Sequence, residues 1–111
     1  MTEAHDNLQP YSANAPDPSE METLEGVTLL DFGTNWCGHC QAAAPLIAAA
    51  VGEHPGVRHL RVEDGKGRPL GRHFGVKLWP TLIVLDDGRE VARVVRPTDA
   101  AELDGAIDRA G

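Results

Sequence analysis

Cys37 and Cys40 are the only cysteines in a chain of 111 residues, and they stand together in Trp36-Cys37-Gly38-His39-Cys40. No disulfide framework can be built from them. Two thiols with two residues between them can instead close to a disulfide and reopen. The nucleophile in such exchange is the thiolate, and a helix start favours it through free backbone N–H groups and the dipole. A Cys-x-x-Cys can also be half of a zinc site, but a closed site needs two further Cys or His ligands. His5, His54, His59 and His73 show no ligand pairing, and haem attachment needs His after the second Cys, where Gln41 stands. The expected chemistry is therefore redox, with no metal.

That reading requires a strand before the motif and a helix after it. Val27 to Phe32 is a near-continuous apolar run, suited to a central strand. Cys37 to about Val51 should be helical: Gln41 to Gly52 is uncharged and alanine-rich, with a kink expected at Pro45 and a stop at Gly52 and Pro55-Gly56. Val57 to Val62 reads as a strand, 63 to 69 as a glycine-rich loop, and Leu70 to Phe74 as a short helix. Thr81 to Leu85 and Glu90 to Val95 form a hairpin about Asp86-Asp87-Gly88. A last helix starts near Asp99, with Glu102 completing a capping box and Leu103, Ala106, Ile107 and Ala110 on one face. Ahead of these, residues 1–25 read as an extended or weakly structured lead-in. A short strand is expected near Leu8 to Tyr11, and a helix over Glu20 to Leu24 capped by Ser19. The order predicts one α/β domain with a mixed sheet and helices on both faces.

Net charge is −7 with no basic run, which argues against nucleic acid. No apolar stretch approaches the roughly 20 residues that span a bilayer, and no basic start followed by an apolar run marks a secretory signal. The lack of other cysteines fits a reducing cytoplasm, the expected setting, with a periplasmic protein whose signal has been removed as the alternative.

With Trp-Cys-Gly-His-Cys after a strand and Trp79-Pro80-Thr81 opening the next hairpin, the chain resembles the thioredoxin family from about Val27 to Ala110. Pro45, Phe74-Gly75-Val76 and Asp87-Gly88 fall in the family's order. The resemblance implies a thioredoxin fold, a central mixed β-sheet flanked by α-helices, over residues 26–111. It implies that Cys37 is the exposed attacking cysteine and Cys40 the buried resolving one. Pro80 would be the family's cis-proline, lying against the disulfide, with the backbone before it pairing with a client strand. Asp31 would be the buried acid that helps take the proton from the resolving thiol. Read from its neighbours Leu30 and Phe32, Asp31 is expected to be buried, which favours a neutral carboxyl, though a plain strand-end carboxylate is the alternative. His59 is near where the family places a lysine partner for that acid.

Exchange would run through a mixed disulfide on Cys37, which Cys40, about one helical turn on, resolves. Gly38 keeps the turn open, and His39 tunes it. Thioredoxins usually carry Gly-Pro between the cysteines, whereas Gly-His is the pair of protein disulfide isomerases. Those classes differ by about 90 mV, roughly 4 kcal/mol for a two-electron couple, so a more oxidising potential than typical thioredoxin is expected. Trp36, Trp79, Thr81 and Arg96 are the candidate substrate-binding residues, although Trp36 could equally pack and Arg96 could be a solvated charge. Three positions depart from the family: Gly33 replaces a frequent second Trp and should leave the floor of the site less bulky, Trp79 replaces a smaller residue, and Arg96-Pro97 replaces a glycine. The expected protein is a monomeric thiol–disulfide oxidoreductase with no bound cofactor, acting on protein disulfides and fed by a reductase or dithiol donor. The competing reading is a binding module or assembly chaperone with incidental redox activity.

Overall fold

The computed structural model describes residues 8–110; the first seven residues of the expected lead-in, His5 among them, and Gly111 lie outside the described residues. The elements are α1 (Pro18–Met21), β1 (Val27–Gly33), α2 (Gly38–Glu53), β2 (Arg58–Glu63), α3 (Pro69–His73), β3 (Thr81–Asp86), β4 (Arg89–Val95) and α4 (Ala100–Asp108). The four strands lie in the order β2-β1-β3-β4. β1 runs parallel to β2 and antiparallel to β3, and β3 is antiparallel to β4. The sheet is mixed, as expected.

The two-residue period of β1 sends alternate side chains into two cores. Leu29 packs with Ile47 and Ala43 of α2, Leu82 and Val84 of β3, and Leu103 and Ile107 of α4. Leu30 and Phe32 face the other way, onto Met21 of α1 and Leu70 of α3, with Val62, Ile83 and Leu85. Helices thus cover both faces, and β1, buried on both, is the apolar run that its sequence indicated. Asp31 shares the parity of Leu29 and so points to the α2 side, where the cysteines are. The β3–β4 hairpin turns at Asp87 and Gly88 with φ of 50° and 84°, the paired positive values of a tight hairpin turn.

Several local expectations are corrected. The first helix is Pro18–Met21 with Asp17 as its N-cap, not a helix over 20–24 capped by Ser19; Glu20 Oε1 accepts the Asp17 N–H at 2.7 Å. Pro18 explains the shift, because proline is pre-set for the first helical position, where its missing N–H costs nothing. α2 contains Pro45, as expected, but it also runs through Gly52 and ends at the His54 cap, before Pro55. The residue preceding a proline is steered away from helical backbone, so Pro55 rather than Gly52 is the stop. No strand forms over 8–11. Instead Ser12 makes a single parallel bridge to Val62, through Ser12 N–H to Arg61 O at 3.0 Å and Glu63 N–H to Ser12 O at 2.9 Å. From Leu8 onward the expected weak lead-in lies along the edge strand β2, and it buries Tyr11 and Met21.

Candidate active site

Cys37 is the N-cap of α2, in extended backbone, so Gly38 and His39 open the helix and Cys40 completes its first turn. The Cys37 Sγ accepts the Cys40 backbone N–H at 3.3 Å, one of the amides that a helix start leaves unpaired. Both thiols are free; Cys37 is 8% exposed and Cys40 2%. Cys40 is buried as expected, but the expected exposure of Cys37 is not met: packing with Tyr11, Cys40 and Trp79 leaves its thiol covered as well. Burial, and then the hydrogen bond with Cys37, pushes the Cys40 thiol up to about 11, against the opposing pull of the Thr34 backbone and the Tyr11 hydroxyl.

Behind the thiols, Asp31 is completely buried and its carboxylate is fully engaged. Oδ1 accepts the Tyr11 hydroxyl at 2.7 Å. Oδ2 accepts Arg61 Nε at 2.8 Å and faces His59 Nε2 at 3.0 Å. The sequence suggested burial alone around Asp31; the structure instead sets a guanidinium against it, since Asp31 and Arg61 are register partners across β1 and β2. Burial works against the Arg61 cation, but Asp31 and Tyr11 outweigh it and hold the guanidinium above its ordinary value. Its Cζ lies 3.9 Å from the centre of the Tyr11 ring, a cation–π contact. Burial, then the charge and hydrogen bond of Asp31, raise the Tyr11 hydroxyl well above its usual range, so it stays a donor.

Gly33 is corrected in a similar way. The floor is not open: a Cβ there would lie 2.5 Å from Cys40 Sγ and 2.8 Å from Tyr11 Oη and Cζ. Tyr11 occupies the room that a larger residue at 33 would need, and only glycine fits beneath it.

The remaining candidates surround the cysteines unevenly. The Trp79–Pro80 peptide is cis and Pro80 is buried. Trp36 is 73% exposed, which decides its alternative in favour of the surface, and its ring meets Trp79 edge-on at 5.8 Å between centroids. Trp79 is half-buried, with Nε1 donating to Asp64 Oδ2 at 2.9 Å. Thr81 does not reach the surface: its side chain is buried and its hydroxyl donates to the Leu78 carbonyl, so as a side chain it is no substrate contact. Arg96 adopts φ of +50°, in the left-handed region where glycine is at ease. Its N–H donates to Pro80 O at 3.0 Å and its Nε to Trp79 O at 2.8 Å, and these bonds hold the conformation. Exposed Arg96 and His39 share a groove of about 480 Å³ with Ala42, Leu46, Pro97 and Thr98.

Sequence reasoning missed Arg61, Tyr11 and Asp64. Arg61 had a signal, because it stands two residues after His59 and therefore on the same face of β2. Tyr11 had none: the chain's one tyrosine stood at the end of an expected short strand, and nothing there tied it to the cysteines. Among the described residues no group of three or more His, Cys, Asp or Glu is placed to hold a metal ion, and no helix is long and apolar enough to cross a membrane.

A family model described as Thioredoxin matches residues 18–109. The solved structure of thioredoxin 2 from Pseudomonas aeruginosa PAO1, in its reduced form, is 58% identical; the similarity covers 92% of this chain and 94% of that one, with a TM-score of 0.83. Thioredoxin of Chlamydia muridarum is 40% identical over 79 residues, 70% of this chain and 76% of that protein. Thioredoxin of Listeria monocytogenes serovar 1/2a is 34% identical over 93 residues, covering 81% and 88%.

Proposed function

The chain belongs to the thioredoxin family and is a thiol–disulfide oxidoreductase, and from that premise we propose that it exchanges disulfides with protein clients through a mixed disulfide on Cys37. The observation that carries this is the inequality of the two thiols. Cys37 caps α2 and receives a helix-start N–H, whereas Cys40 is the more deeply covered and holds its proton up to about 11. Cys37 attacks one sulfur of the client disulfide, whose other sulfur leaves as a thiolate. Cys40, one turn on, then displaces the second client sulfur from Cys37 and closes the Cys37–Cys40 disulfide. Two electrons pass from the dithiol to the client, and no bound cofactor enters the cycle. Asp31 serves the second step as the acceptor for the Cys40 proton.

The client would approach over Trp36, Trp79 and Pro80. Arg96 already occupies one lone pair of the Trp79 carbonyl; a client strand pairing there would use the other lone pair and the Trp79 N–H. With the Trp36–Trp79 pair and the His39–Arg96 groove, this supports a client set different from that of general thioredoxins. We assign the protein a monomeric state, a cytoplasmic setting and a reductase or dithiol as electron source.

His39 carries the potential. An imidazole beside the Cys37 thiolate, charged or donating a hydrogen bond, stabilises the reduced form and makes the disulfide more oxidising, toward the isomerase end of a range of about 90 mV. Proline is tolerated in a first helical turn, so His39→Pro tests this without breaking α2. A glutathione equilibrium should give a lower potential for the variant; a wild-type value at or below thioredoxin's would refute the assignment. The exchange itself is tested by insulin reduction with dithiothreitol and by trapping clients on Cys40→Ser. Acceleration and covalent trapping are expected. No acceleration, together with client binding by a Cys37→Ser, Cys40→Ser double variant, would indicate a binding module instead.

A further inference from the structure

Asp31 is the buried acid assigned the Cys40 proton, yet among the described residues no hydrogen bond joins it to Cys40. What lies between them is Tyr11. Its hydroxyl donates to Asp31 Oδ1 at 2.7 Å. The hydroxyl and Cys40 Sγ also flank the same point above Gly33, 2.8 Å and 2.5 Å from where a Cβ would stand, and the Tyr11 side chain packs in one buried cluster with both cysteines. From this geometry we infer that Tyr11 passes the Cys40 proton to Asp31 during resolution of the mixed disulfide. The inference rests on the exchange reading above and assigns a residue to its second step.

Tyr11 is held for that task from three sides. Its N–H donates to Asn35 Oδ1 at 2.8 Å and its carbonyl accepts from Asn35 Nδ2 at 3.3 Å, which ties it to the residue two before Cys37. The neighbouring Ser12 is bridged to β2. The Gln9 carbonyl accepts Arg61 Nη1 at 2.7 Å, and the guanidinium covers the Tyr11 ring. The N-terminal segment is thus strapped over the site by groups of the active-site loop and the edge strand. The charged and titratable groups facing the hydroxyl are Asp31 from β1, Arg61 and His59 from β2, and Cys37 and Cys40 at the start of α2.

The step balances without any further reactant. In the mixed disulfide the Cys40 S–H proton moves to the Tyr11 oxygen as the Tyr11 O–H proton moves to Asp31 Oδ1. The Cys40 thiolate attacks the Cys37 sulfur, the Cys37–client S–S bond breaks, and the client leaves as a thiolate carrying the electron pair. Asp31 then returns its proton toward solvent on the side of His59, whose side chain is 12% exposed and 3.0 Å from Oδ2.

Reaction of the reduced protein with 5,5′-dithiobis(2-nitrobenzoate) separates the two steps. The first aromatic thiolate is released when Cys37 is derivatised, and the second when Cys40 closes the disulfide. Tyr11→Phe keeps the ring on Gly33 and under Arg61 and removes only the hydroxyl. Proton transfer by a positioned group is worth roughly 10²–10⁴-fold, and water can replace part of it, so the second release should slow at least about tenfold at pH 7. The first should change by less than about twofold. The gap should narrow as pH rises toward about 11, where Cys40 ionises unaided. A second release at the wild-type rate, or both releases slowed by the same factor, overturns the role of Tyr11. Absence of the first release from the wild-type protein overturns the exchange reading and this inference with it. Should Tyr11→Phe fail to fold, a proton inventory in mixed light and heavy water on the wild-type second release decides: a curve bowed by two protons in flight supports the path, and a straight line overturns it.

Discussion

Arg61→Met is the sharpest test of how the site is held together. Methionine keeps most of the side-chain volume and removes the cation that faces Asp31. In the native protein the Asp31 side chain is 0% exposed and that of Arg61 9%, so the pair is desolvated and solvent screens it little. Removing one member of a buried ion pair costs roughly 3–5 kcal/mol, because the other charge is left without compensation. Here the carboxylate keeps the Tyr11 and His59 contacts at 2.7 and 3.0 Å, which places the loss at the lower end, about 3 kcal/mol. Loss of the guanidinium above the Tyr11 ring adds about 0.5–1 kcal/mol in the same direction. At roughly 4 °C per kcal/mol for a domain near this size, the melting temperature should fall by about 14–16 °C. Urea titrations of wild type, Arg61→Met, Asp31→Asn and the double variant, with the slope unchanged, measure this as a cycle. If an uncompensated charge is the cause, adding Asp31→Asn to Arg61→Met should restore at least about 1 kcal/mol. A single-variant loss below about 1 kcal/mol, or strict additivity in the cycle, would refute the reasoning.

Two further outcomes follow from the same cluster. The Cys40 thiol ionises near 9.0 in an unfolded chain and near 11 in the native one, so its contribution to stability is fully present below pH 9 and is lost as pH rises through 11. Denaturant titrations across pH 8 to 11 should show the reduced protein losing this increment, while the disulfide form, with no thiol to ionise, should not share the slope. Gly33→Ala should destabilise by about 1–3 kcal/mol in urea titration despite an ordinary backbone, since the new Cβ presses on Cys40 Sγ and Tyr11 at 2.5 and 2.8 Å. A neutral Gly33→Ala would mean that Tyr11 yields easily and does not seal the floor.

The parts of the fold that were legible in the sequence are those set by short-range rules. Strand β1 showed as an apolar run because both its faces are buried, and the β3–β4 turn showed as Asp87-Gly88 because two successive positive φ values select such residues. The capping box of α4 showed as Asp99 and Glu102, and the structure forms it: Asp99 Oδ1 accepts the Glu102 N–H at 3.1 Å and Glu102 Oε1 accepts the Asp99 N–H at 3.2 Å. Boundaries were less legible where two local signals competed, as Gly52 and Pro55 did at the end of α2. Thr81 was misjudged as a contact because being next to Pro80 in sequence says nothing of which way its hydroxyl turns.

The spacing of Cys37 and Cys40 by itself determined that the two thiols meet, since residues three apart share one face of a helix and the helix start supplies the amides. Only the tertiary structure decided what stands behind them. Tyr11, Asp31 and Arg61 are 20 and 30 positions apart, and they meet because β1 and β2 pair in one register while the N-terminal segment lies along the β2 edge. Pairing register and the room above Gly33 are properties of packed strands. The buried charge, its cation and the hydroxyl beside Cys40 therefore become visible only when the chain is folded.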